Sequence, residues 1–269
     1  MKGIWKGISY FILYFVLTIL IQISLSIIFM SIATLNNIES KDMITTFVNS
    51  NILGITIISG ILTTLVLYLI FKFNKKQIKK EWKLNEFKPI NAIFASMMSF
   101  SFSFLFTLFT YDIPIENSLM ISKSAIFYNE IIPLLGTIMM VTNLLLIAPV
   151  TEEIALRGIV YTKIEEDTNK VIAVIVSSIL FGIMHLMAGG IVLVIGSTLM
   201  ALILGYILYK FNSLWICIIA HSIANLPDLI LYRKPNISDN ILFIIEISFL
   251  VIFITSTYFV HNSTTSNNN

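Results

Sequence analysis

Long apolar runs separated by short polar stretches dominate the chain. Eight runs, at roughly 8–33, 52–73, 90–111, 131–163, 171–188, 191–209, 214–231 and 241–260, reach or approach the ~20 residues a helix needs to cross a bilayer. The fourth is apolar only as far as Val150, and a helical continuation to about Lys163 is expected. No run alternates apolar and polar positions as a barrel strand would. In hydrocarbon a helix satisfies its own backbone groups, so helices are the expected element throughout. The pattern predicts an all-α polytopic membrane bundle of about eight transmembrane helices. It has no internal repeat, and no loop has room for a soluble domain, so residues 1–269 are expected to form a single integral membrane domain.

Composition sharpens this. Apolar residues make up 57 % of the 269 residues and charged residues 12 %, about half the usual charged share of ~25 %. Mean hydropathy is +0.90. A soluble enzyme, a disordered tail and a disulfide scaffold are all excluded, the last because Cys217 is the single cysteine. A net charge of +2 gives no reason to invoke nucleic acid. The first run follows Lys2 and Lys6 and is too long for a signal-peptide core, so it reads as an uncleaved anchor. The loop after the second run carries Lys72, Lys75, Lys76, Lys79, Lys80, Lys83 and Lys88. If it is cytoplasmic, Lys2, Lys6, Lys163, Lys170 and Lys210 also fall inside, and Lys41, Lys123, Arg233 and Lys234 fall outside. Both termini are then cytoplasmic, with Arg157 at the membrane edge. The lysine-rich loop is read first as a topology determinant and second as a site for anionic lipid or a partner.

Ionisable residues inside a membrane are functional-site candidates. Here they are Glu152, Glu153, Arg157, His185, His221, Asp228 and Glu246. Glu153 and Arg157 stand i,i+4 and can pair on one helix face. Glu152 points about 100° away from Glu153 on the same helix. A helix-end ion pair accounts for Glu153 and Arg157 but leaves Glu152 unexplained. Phe181-Gly182-Ile183-Met184-His185 puts a histidine late in an apolar run, where a satisfied core residue is the bland reading. His221 and Asn225, again i,i+4, can both donate hydrogen bonds into one small volume, or else glue neighbouring helices. At 1.5 Å per residue, Glu152 lies ~17 Å, His185 ~21 Å and His221 ~11 Å from the expected cytoplasmic helix ends. These depths agree within about two turns. The four polar residues can therefore share a cavity open toward the cytoplasm.

Two kinds of chemistry could use this set. A buried carboxylate and an imidazole sharing a water make a general base, and a second imidazole with an amide can stabilise an oxyanion. Alternatively Glu152, His185 and His221 could hold zinc as a His2Glu site with an open position. The water-activating pair is placed ahead of metal. Cys217, one turn before His221, reads as an inert buried thiol rather than a nucleophile.

Glu152-Glu153-x-x-x-Arg157, Phe181-x-x-x-His185 and His221-x-x-x-Asn225 resemble, in order, the three motifs of the CPBP intramembrane protease family, which includes the CAAX prenyl endopeptidases and many bacterial members once labelled Abi. The flanks are similar too: Pro149, Gly158 and Ser213-Leu214-Trp215. The motif-bearing core runs from about 130 to 230. The resemblance implies that Glu152 and His185 activate a hydrolytic water and that His221 and Asn225 stabilise the oxyanion. It implies supporting roles for Glu153 and Arg157, and packing beside the cavity for Phe181. The family has been described both as metalloprotease and as glutamate-type. A membrane-associated peptide or protein is the expected substrate, cut near the cytoplasmic face. The Ile-, Lys- and Asn-rich composition points to an AT-rich, low-GC Gram-positive genome, hence a bacterial plasma membrane. Relatives there are associated with bacteriocin immunity and peptide-signal maturation. Two rival readings stand beside this one. Glu246 and Asp228 would suit a proton-coupled transporter, and a non-catalytic immunity or scaffold protein would need no Glu152.

Overall fold

The structure is a computed structural model, and it describes residues 2–35, 51–110, 133–231 and 238–263. Lys41, Lys123, Arg233 and Lys234, the basic residues expected outside, lie beyond the described residues. Among those described there is no strand. The helices are α1 (Lys2–Leu35), α2 (Ile52–Phe73), α3 (Ile78–Glu81) and α4 (Pro89–Thr110), followed by α5 (Leu134–Glu165). Then come α6 (Lys170–Met184), α7 (Leu186–Phe211), α8 (Leu214–Ala224), α9 (Leu226–Ile230) and α10 (Asp239–Asn262). The protein is an all-α membrane bundle. Among the described residues, six helices are long and apolar enough to cross a bilayer: α1, α2, α4, α5, α10 and the part of α7 from Gly190.

The fifth and seventh apolar runs each contain a helix break. Helix α6 has 15 residues and stops at Met184, and α8 has 11 and stops at Ala224. Both breaks have local causes. His185 caps α6: its Nδ1–H donates to the Phe181 carbonyl at 2.8 Å, satisfying one of the orphan acceptors of a helix end. Beyond Ala224, Pro227 has no N–H to return to Ile223, so α8 cannot continue unbroken into α9. After α6 the chain reverses at Gly190, whose φ of +62° is a conformation that L side chains rarely adopt. Helices α6 and α7 then lie side by side as an antiparallel pair. Their contact is tightest at Gly182, where a Cβ would stand 1.8 Å from Thr198 Oγ1 and 2.8 Å from the Val194 carbonyl.

Helix α10 packs along α4 through stacked aromatics, Phe94 on Phe259 at 4.4 Å and Phe104 on Phe249 at 4.0 Å. Helix α1 lies against α2 and the last turns of α5. The buried core gathers around α5, α7 and α8, with Leu156, Ile164, Leu204, Leu208, Leu214 and Ile216 fully enclosed.

At the end of the bundle bearing the lysine-rich loop, ion pairs fasten that loop to α5. Lys163 pairs with Glu81 and Glu166. Lys83 reaches Glu165 at 2.7 Å and Asn212 Oδ1 at 3.0 Å. Ser213 Oγ donates to the Asn85 carbonyl at 2.7 Å, and Asn85 Nδ2 donates to the Asn212 carbonyl, also at 2.7 Å. Burial by itself would raise the Glu81 carboxyl. Its hydrogen bond to Lys163 and the charges of Lys163 and Lys76 outweigh burial and hold its pKa below the ordinary 4.5. A lowered folded-state pKa means stability that is fully present above 4.5 and lost as pH falls through the folded value.

Two outcomes are expected. Gly182→Ala should push α6 from α7 and cost about 1–3 kcal/mol, the usual cost of overpacking, read as a lower unfolding midpoint in detergent. Glu81→Gln should lower that midpoint by about 1–3 °C at neutral pH, the size of a partly exposed ion pair. The Glu81→Gln difference should shrink as pH falls below 4.5.

Candidate active site

Helix α5 carries the first motif and departs from regular α-helix on both sides of it. Its turns widen over Asn143–Ile147 and again over Ile154–Tyr161, with a regular stretch, Ala148–Glu153, between them. Such π-helical turns re-aim side chains and recur at functional sites. The regular stretch ends on Glu152 and Glu153.

Glu153 is fully buried, and so is Arg157. The Arg157 Nη1–H donates to Glu153 Oε1 at 2.9 Å, the i,i+4 pair that the spacing predicts. The same oxygen accepts a second bond at 2.9 Å from Nδ1 of His221 on α8. Arg157 also donates through Nη2 to the Ala201 carbonyl of α7 at 3.2 Å. Its guanidinium lies 4.6 Å from the centre of the Phe181 ring on α6, in cation–π contact. One ion pair thus ties α5 to α6, α7 and α8. Arg157 is not half of an exposed helix-end pair; it lies fully enclosed among four helices.

Glu152 keeps 18 % of its side chain exposed, where its neighbour keeps none. The hundred-degree step between them therefore divides the carboxylates as expected, one sealed and one reachable. They nevertheless meet on one residue. Glu152 Oε2 stands 3.8 Å from His221 Nε2, while Glu153 holds Nδ1 of the same ring. Because Nδ1 faces a carboxylate, it carries the hydrogen, and Nε2 is the nitrogen left for chemistry.

His185 is brought to this cluster through Phe181. The Phe181 ring lies 4.8 Å from the His185 ring and 5.9 Å from the His221 ring. With its Nδ1–H on the Phe181 carbonyl, His185 also presents Nε2. It makes no hydrogen bond or ion pair with Glu152 among the described residues, so the histidine that faces Glu152 here is His221. Asn225 does not bond to the His221 ring. Its Nδ2 donates to the Leu144 carbonyl at 2.8 Å, in the first widened turn of α5.

Among the described residues no three His, Cys, Asp or Glu side chains are grouped so that they could hold a metal ion, Glu152, His185 and His221 included. Cys217 is fully buried, with Sγ 3.5 Å from the Leu204 carbonyl and 3.7 Å from that of Ser213. Asp228 accepts from Thr107 Oγ1 at 3.3 Å, away from this cluster.

The sequence reading missed two participants. Asn143 is buried, with an amide oxygen that finds no partner among the described residues. As a polar residue inside an apolar run it carried a signal. Thr151, beside Glu152, meets Thr64 Oγ1 at 3.1 Å and the Gly60 carbonyl at 3.3 Å, fastening α5 to α2. Threonine is too common in membrane helices for that to stand out.

Residues 134–227 match the family model described as type II CAAX prenyl endopeptidase, Rce1-like. The matched segment holds all three motifs and supports the resemblance to the CPBP/CAAX proteases. Together with the six apolar spans, two of which fall within it, the match indicates a multi-pass membrane protein similar to the CAAX-type proteases. No curated protein and no solved structure matches the chain at a significant level.

Glu153→Gln tests the brace. It removes the charge that Arg157 and His221 share and leaves a buried guanidinium without its counter-ion. The expected loss is about 3–5 kcal/mol, seen as a large fall in the unfolding midpoint of the purified protein.

Proposed function

We propose that the protein is an intramembrane endopeptidase that hydrolyses a peptide bond in a membrane-associated peptide or protein near the cytoplasmic face. The observation that carries this reading is the 3.8 Å approach of a partly exposed Glu152 carboxylate to His221 Nε2, backed by a sealed Glu153–Arg157 pair. A water lying off the line between the two atoms can touch both. Glu152 takes its proton as the oxygen attacks the scissile carbonyl carbon. His185, with Nε2 free, helps to orient the water. Asn225, and His221 once its Nε2 also carries a proton, hold the developing oxyanion, the roles the family resemblance implies. When the tetrahedral intermediate collapses, the C–N bond breaks and the proton on Glu152 passes to the leaving amine. Glu153 and Arg157 fix the tautomer and position of His221, and Phe181 packs the guanidinium and both imidazoles together. No step is routed through a metal. We place the protein in a bacterial plasma membrane, with bacteriocin immunity or peptide-signal maturation as its setting.

The test compares terminal peptides, by mass spectrometry, in membranes and medium of cells carrying the native protein or Glu152→Gln at equal expression. New termini that depend on Glu152 should fall by at least ~100-fold, the scale of a lost general base. Identical termini in the two strains would overturn the reading. A phenotype that survives the substitution would instead point to a scaffold or transporter.

A further inference from the structure

The Leu144 carbonyl that receives Asn225 lies in the first widened turn of α5, inside a membrane-spanning helix. The backbone N–H of Ala148 donates to Asn143, five residues back. In that register the next N–H along the chain would serve Leu144. The next residue is Pro149, which has no N–H to give. The Leu144 carbonyl is therefore left without a helical donor, in a medium where an unserved backbone group is costly. The Asn225 side chain supplies the missing donor at 2.8 Å.

Asn225 has its own reason to be available there. It is the joint between α8 and α9, two residues before the helix-breaking Pro227, with its backbone N–H on the His221 carbonyl at 3.1 Å. A side-chain amide with one N–H engaged has lost its rotational freedom. Its second N–H and its oxygen then point in fixed directions, one turn from His221.

We propose that Pro149 is a positioning residue. By leaving the Leu144 carbonyl unserved, it captures one N–H of Asn225 and sets where the other is presented. The catalytic consequence rests on the oxyanion role given to Asn225 above, but the capture itself does not.

The experiment uses full-length protein in lipid nanodiscs, with asparagine side chains labelled with 15N, and follows the Asn225 amide pair, assigned by its loss in Asn225→Ser. In the native protein the two amide protons should be well separated in shift, one of them protected from exchange with deuterium. Pro149→Ala restores an N–H that competes for Leu144. The separation should collapse, and exchange should quicken at least tenfold. Pro149→Gly restores the same N–H with no side chain and should do likewise, which guards against a folding failure of either variant. An Asn225 pair unchanged in shift and protection in the folded variants would overturn the proposal.

A second arm counts the Glu152-dependent termini. Pro149→Ala should reduce them about tenfold in the native background and less than twofold further in Asn225→Ala. Equal losses in both backgrounds would show that Pro149 does not act through Asn225 and would overturn the proposal. If the native protein yields no such termini, the protease reading falls while the amide signal still decides the capture.

Discussion

An ionised carboxylate sealed away from water costs several kcal/mol unless opposite charge and hydrogen-bond donors meet it. Glu153 is where this chain satisfies that demand, and the rest of the site depends on how. Arg157 supplies the charge from one turn along the same helix, and His221 supplies a donor from α8. Arg157 in turn needs partners for its remaining surface, and it finds the Ala201 carbonyl and the face of Phe181. Four helices that have little hydrophobic reason to choose one another in lipid are held in register by one charge pair. Glu152, one residue earlier, inherits a fixed position without sharing the burial.

The two histidines are prepared in the same manner by different means. His221 gives its Nδ1–H to a carboxylate and His185 gives its own to a carbonyl at a helix end. Each ring is left with Nε2 outermost. The helix breaks serve this. His185 is both the cap of α6 and the residue it presents, and Asn225 lies where Pro227 interrupts α8. The places where regular backbone fails in the membrane are the places where the polar side chains gather. That agrees with the rule that irregular backbone at membrane depth is tolerated where it is buried in protein or lines a cavity.

Much of this was legible in the sequence, because it follows from periodicity and cost. Apolar runs located the helices to within a few residues. The i,i+4 spacing of Glu153 and Arg157 predicted their pair, and the one-residue step to Glu152 predicted that the two carboxylates would differ in exposure. Depth arithmetic from Lys163 and Leu214 brought Glu152 and His221 to within about two turns of each other. What the sequence did not disclose is three-dimensional. Hydropathy alone does not show a helix break inside an apolar run, so the breaks at His185 and Asn225 were not foreseen. The enclosure of Arg157 depends on the Ala201 carbonyl, and a backbone atom has no sequence signature. The widened turns of α5 moved Leu144 to Asn225, whereas spacing alone would have aimed Asn225 beside His221.

The short helices also concern the lipid. Fifteen residues of α6 span ~22 Å, against a hydrocarbon core ~30 Å thick. Lipid chains beside a helix shorter than the core shorten or tilt to meet it, and that deformation costs a fraction of a kcal/mol per ångström. A thinner bilayer removes the cost, and a thicker one increases it. A bilayer of matched thickness is the one in which helices of this length, broken at His185 and before Pro227, meet lipid at least cost.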